Sequence, residues 1–206
     1  MTNLGKRHFP LLVLIGGKPG TGKSTLAQQL AQPEQLGLPL LSRDAIKVGL
    51  VETYALAAPT ADREIIESDE RRAIIVPTSF NLFYETITMW LRAGVSLIAE
   101  HAYTARSEAT INHWIPLAQA VLIECHTAAD EARRRFFARE QQDPRHLPRR
   151  LAAMAERITL GTDPWSTETP LRLAVPTLRV DTTEGYQPAI EEIANFCREI
   201  MHYHRT

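Results

Sequence analysis

Residues 17–24 read Gly17-Lys18-Pro19-Gly20-Thr21-Gly22-Lys23-Ser24 and satisfy the pattern G-x-x-x-x-G-K-[ST]. Their flanks narrow the fold further. The run Leu11-Leu12-Val13-Leu14-Ile15 precedes them and has the length and apolar continuity of a buried parallel strand. Ser24-Thr25-Leu26-Ala27-Gln28-Gln29-Leu30-Ala31 follows, with helix-forming residues at apolar spacing. Strand, glycine loop and helix in that order make a phosphate-binding loop. Glycines let successive backbone N–H groups converge, and the helix N-terminus adds partial positive charge. A polyphosphate suits that cradle, formed by Gly17, Gly20, Thr21, Gly22, Lys23, Ser24 and Thr25. Lys23 reaches for the terminal phosphates, and the Ser24 hydroxyl is placed to ligate Mg²⁺.

The chain has 206 residues, which suits one α/β domain over 1–206. Its 23 Lys and Arg nearly balance 24 Asp and Glu, so no global basic field points to a large nucleic-acid footprint. Cys125 and Cys197 sit apart in apolar contexts and read as reduced, buried thiols of a cytoplasmic protein. The histidines show no zinc-ligand spacing. The short apolar run after Lys6 and Arg7 leads into the glycine loop and does not resemble a signal peptide. No stretch approaches the ~20 apolar residues of a membrane span.

Along the chain, residues 11–16 are expected as the first strand and 23–32 as the first helix, ended by Pro33. A short strand over 38–42 leads into a helix near Arg43-Asp44-Ala45-Ile46-Lys47. Asp44 lies just past a strand end, where it either caps the helix or faces a ligand. Residues 50–61 read as a loop, 62–75 as a helix with a charged solvated face, and Pro77 as a break or kink. A second helix follows from Thr78 or Ser79 to Leu91, with Phe80, Phe83, Ile87, Trp90 and Leu91 as a core stripe, and stops at Gly94. Residues 95–99 make a third strand ending at Glu100-His101. An acid there occupies the position of a Walker B carboxylate, or is a satisfied strand-end group. His101 either bonds structurally or touches an acceptor. A helix over 107–118, a strand over 120–125 and a helix from Ala128 follow. The latter carries Arg135 and Arg139 on one face and runs into a Pro- and Arg-rich stretch suited to a cationic lid at about 135–150. A helix over 151–158, a turn at 161–165, a strand over 178–181 and a closing helix from Pro188 to Tyr203 complete the chain. Alternating strands and helices imply a parallel, doubly wound sheet.

These residues resemble a family. Gly17–Thr25, the Ser42-Arg43-Asp44 strand end with Lys47, Leu97-Ile98-Ala99-Glu100, Arg135-x-x-x-Arg139 and Val180-Asp181-Thr182-Thr183 are similar to the AAA-type P-loop kinases around polynucleotide 5′-kinase, zeta toxins and chloramphenicol phosphotransferase. The resemblance implies a three-layer α/β/α P-loop NTPase fold with five parallel strands in the order 2-3-1-4-5 and a helical lid. It implies that Asp44 activates an acceptor hydroxyl and that Arg135 and Arg139 neutralise the moving phosphoryl group. It puts Lys47 near the acceptor and Asp181-Thr182-Thr183 beside the adenine. Glu100 stands where the polynucleotide kinases usually show Asp, and residues 101–106 do not copy their Asn-rich turn.

The expected function is therefore transfer of the γ-phosphoryl group of ATP, with Mg²⁺, to a hydroxyl. Lys23, Asp44, Arg135 and Arg139 are the catalytic candidates, Arg43, Lys47, Glu100 and His101 border the acceptor, Ser24 and Glu100 serve the metal, and Thr182 borders the nucleotide. A small-molecule acceptor (nucleoside, sugar derivative or antibiotic) is favoured over a nucleic-acid end, because the charge is balanced and no exposed aromatic-basic stripe is visible. A nucleotide-gated regulatory ATPase is the alternative from another class.

Overall fold

The computed structural model describes residues 9–57, 69–142, 148–166 and 171–203. Its centre is β1 (Leu11–Gly17), the apolar run that precedes the glycine loop. β1 lies between β3 (Leu97–Glu100) and β4 (Gln119–His126), with β2 (Leu40–Ser42) and β5 (Thr177–Asp181) at the edges. All four ladders are parallel and the order is β2-β3-β1-β4-β5, as expected for a P-loop kinase-like fold.

Both faces of the sheet are covered, so β1 is buried on both sides and shows no polar alternation. Its side chains still divide by the two-residue period of a strand. Leu11, Val13 and Ile15 join Leu26, Leu30, Ile193 and Cys197 on one face, beneath α1 (Lys23–Leu30) and α7 (Ile190–Tyr203). Leu12 and Leu14 join Phe83, Ile87, Ile111 and Trp114 on the other, beneath α3 (Asp69–Arg92) and α4 (Glu108–Trp114). A smaller cluster of Ala132, Phe136 and Trp165 ties α5 (Ala129–Gln142) to α6 (Pro148–Thr159) and the turn after it.

Two expectations about the middle of the chain are corrected. Residues 50–57 are not loop; they continue α2 (Arg43–Ala57). Pro77 does not end a helix either, because α3 runs through it from Asp69 to Arg92, and Ser79 is an interior position. An internal proline forfeits one helical hydrogen bond and costs about 3 kcal/mol. Here Pro77 is exposed, while Ile75, Phe83, Ile87 and Leu91 bury one continuous face against the sheet. Burial at ~1.5–3 kcal/mol per large apolar side chain outweighs the lost bond. The helix expected over 107–118 divides into a 3-10 turn, α4 and a second 3-10 turn that contains Pro116. The expected helix start at 62–68 and the lid turn at 143–147 lie outside the described residues. Among the described residues, no helix is long and apolar enough to cross a membrane.

Phe83 is fully buried at the centre of the α3 face. Phe83→Ala is expected to destabilise the protein by ~3–5 kcal/mol, read as a lower urea midpoint at unchanged m-value.

Candidate functional site

In a parallel sheet every strand points its C-terminal end the same way, so side chains far apart in sequence meet at one edge. Ile15 of β1 and Ser42 of β2 both stand in register with Glu100 of β3. That register brings Glu100 against the glycine loop. Its carboxylate is 2 % exposed. Oε1 accepts a hydrogen bond from Ser24 Oγ at 3.1 Å and lies 3.8 Å from Lys23 Nζ, while Oε2 accepts from Ser42 Oγ at 2.7 Å. A buried carboxylate is tolerable only when paired and bonded in this way. The candidates Lys23, Ser24 and Glu100 are thus one cluster, and Ser42, which the sequence marked only as part of the strand-end motif, is a further member.

The loop itself needs its glycines. Gly20 has φ +80°, and a Cβ there would overlap the Ala132 carbonyl of α5. At Gly17, φ +147°, a Cβ would meet Thr21 Oγ1 and the Cys125 carbonyl at 2.5 and 2.6 Å. Thr21 is fixed by its hydroxyl, which donates to Lys18 O at 2.8 Å. Gly22 is the left-handed N-cap of α1, and Thr25 lies in the first turn of that helix. The cradle therefore fits a polyphosphate, and the oxygens of Ser24 and Glu100 fit a hard cation such as Mg²⁺, which takes one or two protein oxygens beside phosphate and water.

On the β2 side, Arg43 and Asp44 open α2, with Lys47 one turn on. Arg43 Nη1 donates to Asp44 Oδ1 at 3.0 Å, and the guanidinium stacks 4.2 Å from the Phe80 ring centre. Asp44 is 58 % exposed and so keeps access to a ligand. His101 packs edge-on against Phe80 and Tyr103, at 5.2 Å in each case. Burial, helped by the Arg43 charge, lowers its pKa to about 4, so the ring is neutral at pH 7.

The arginine pair divides. Arg135 donates from Nη1 to Thr182 O and from Nη2 to Thr183 O, both at 2.8 Å, while its Nε meets Glu131. Its guanidinium is committed to the loop after β5. Thr182 in turn donates to Thr21 O at 2.9 Å, which fixes that loop to the phosphate cradle. Arg139 is less tightly held, with one bond to Glu140 and its Cζ 5.8 Å from the Phe136 ring centre. Beside the 182–183 loop, Asp181, Thr183, Glu184 and Gln187 line an open hollow of about 240 Å³.

Trp165 is the functional neighbour that the sequence pattern placed only in a turn. Its indole N–H donates to Pro19 O at 2.8 Å, and its carbonyl accepts from Lys18 Nζ at 3.3 Å. Asp163 holds the turn by accepting from the backbone of Trp165 and Ser166, and Arg133 lies 5.7 Å from the indole ring centre. Only 4 % of Trp165 is exposed. A tryptophan in a polar turn was the available signal, since so large a ring in a turn calls for burial.

Comparison with known proteins agrees with this fold. A family model described as an AAA domain, AAA_33, matches residues 12–160. A candidate kinase from Chloroflexus aurantiacus j-10-fl is 28 % identical with a TM-score of 0.68, covering 94 % of this chain and 97 % of that one. A gluconokinase from Sinorhizobium meliloti 1021 is 18 % identical, TM-score 0.50, over 95 % of this chain and 93 % of its own. A sugar kinase from Janibacter sp. HTCC2649 is 17 % identical, TM-score 0.53, over 93 % and 95 %. The last two show likeness of fold alone. No curated protein matches the sequence.

Trp165→Phe keeps an aromatic ring but loses the pyrrole part of the indole and its bond to Pro19, the bond being worth ~1 kcal/mol. It is expected to weaken binding of a non-hydrolysable ATP analogue by about three- to tenfold in calorimetry. His101 gives a pH test. Between its folded pKa of about 4 and its ordinary 6.5, the unfolded chain binds a proton that the native protein refuses. Stability contributed by this group is complete above pH 6.5 and lost as pH falls toward 4. His101→Gln should therefore flatten the fall in urea midpoint between pH 7 and pH 5.

Proposed function

Because the chain belongs to the AAA_33 family of AAA domains, with a kinase-like P-loop fold, we propose that it is an ATP-dependent phosphotransferase acting on a hydroxyl of a small molecule. The observation that carries this is the Glu100 cluster: the phosphate-loop residues Lys23 and Ser24 share one buried carboxylate with the β2 end, and Asp44 follows two residues after Ser42. Donor-side and acceptor-side groups are thereby held within one constellation.

In this proposal the polyphosphate lies on Gly17–Thr25, with the base toward Thr182 and the hollow at 181–187. When bound, Mg²⁺ would be held by Ser24 and Glu100 and would supply charge neutralisation to the phosphates. Lys23 leaves Glu100 to meet the terminal phosphates. Asp44 accepts the proton of the acceptor hydroxyl as its oxygen bonds to the γ-phosphorus. The bond from that phosphorus to the β–γ bridging oxygen breaks, and ADP departs with the bridging electron pair. Arg139 is placed to neutralise the phosphoryl charge. Arg135 would have to release two carbonyls to do the same, so it is assigned to positioning the 182–183 loop. Arg43, Lys47 and His101 border the acceptor. The domain over 1–206 would close its lid, at about 135–150, to exclude water. The matched fold neighbours named as a gluconokinase and a sugar kinase support a small acceptor.

Two substitutions test the assignment. Lys23→Ala should abolish turnover of γ-labelled ATP in a folded protein. Asp44→Asn should lower transfer to an acceptor by about 10²-fold or more while the affinity for ATP changes little. A fall in ATP affinity without a fall in transfer rate would place Asp44 outside the proton-accepting role.

A further inference from the structure

We infer that the acceptor carries an oxyanion, a carboxylate or a phosphate, and that the Nε edge of Arg43 receives it at the N-terminus of α2. This rests on the phosphotransferase function proposed above and specifies its acceptor. Arg43 is the first residue of a 15-residue helix and is 9 % exposed. Two contacts fix its guanidinium. Phe80 lies under its face at 4.2 Å, and Asp44 takes Nη1 at 3.0 Å. Nε is buried and has no hydrogen-bond partner, and among the described residues Asp44 is the only acceptor Arg43 meets.

A buried donor of a charged group without an acceptor is costly, and native proteins keep few of them. The open edge has a definite chemistry. Nε–H and an Nη2–H of a guanidinium lie parallel and in one plane, spaced for the two oxygens of a carboxylate or phosphate. With Nη1 held by Asp44 and the face held by Phe80, this is the edge left to bind. The N-terminal dipole of α2 adds positive potential at the same place. His101 beside it is neutral at pH 7 and so does not add a second cation there. The Arg43 side chain keeps 11 % exposure and Phe80 on its face is half-buried, so the group is not sealed from solvent. The anion would then sit next to Asp44, anchoring the acceptor so that its hydroxyl meets the carboxylate.

The test loads the wild-type protein with Mg²⁺ and a non-hydrolysable ATP analogue, which fills the phosphate loop. Inorganic phosphate is titrated in one arm and acetate in another by calorimetry, at constant ionic strength with chloride as the control. Saturable binding of one equivalent in either arm is expected, weakened tenfold or more in Arg43→Gln and intermediate in Arg43→Lys, which keeps the charge and loses the fork. The arm that binds identifies phosphate or carboxylate as the preferred group. The wild-type titration decides first, and Arg43→Lys serves if Arg43→Gln does not fold. Analogue uptake without saturable oxyanion binding, or equal affinity in a folded Arg43 variant, overturns the inference alone. A wild-type protein that does not take up the analogue removes the phosphotransferase function and this inference with it.

Discussion

The burial of the Glu100 carboxylate is the constraint on which the site depends. Left alone at 2 % exposure it would be prohibitively placed. It is tolerated because Ser24, Ser42 and Lys23 converge on its two oxygens. Those three come from the start of α1 and the end of β2, so the carboxylate fixes the phosphate loop relative to the C-terminal end of β2. Under the proposed function, Glu100 would serve the metal together with Ser24 once Lys23 turns to phosphate, so stability and chemistry would draw on one set of contacts.

A second set of contacts braces the loop from the opposite side. Trp165 holds residues 18 and 19 from a turn nearly 150 positions later, Thr182 holds Thr21, and Arg135 holds the loop that carries Thr182. Gly20 must be a glycine because α5 approaches its Cα at backbone distance. The cradle is thus clamped between a buried carboxylate and a buried indole before a ligand arrives. Preorganisation of this kind lowers the ordering cost at the moment of binding.

Local pattern and the structure diverge where packing outweighed propensity. Pro77 carries a strong helix-ending signal, but it lies on the exposed side of a helix whose other side buries Ile75, Phe83, Ile87 and Leu91. Arg135 and Arg139 share a helical spacing that suggests a matched pair, but Arg135 meets two carbonyls nearly fifty residues away and Arg139 does not. Trp165 lies in a turn, as its sequence indicates, but nothing local shows that the turn docks on the phosphate loop. In each case the deciding partner is distant in sequence, and no local periodicity records it.

The sequence alone determined the phosphate cradle, the parallel sheet and the identity of its central strand, because those follow from glycine spacing, apolar runs and alternation of elements that are local along the chain. The strand order followed from family resemblance and is borne out by the ladders. What only the tertiary structure decided is which side chains meet at the sheet edge. Strand register placed Ser42 opposite Glu100, helix docking left the Arg43 Nε without an acceptor, and the return of the chain after α6 set Trp165 on Pro19. These are long-range juxtapositions fixed by the simultaneous packing of several elements, and no single segment of the sequence contains them.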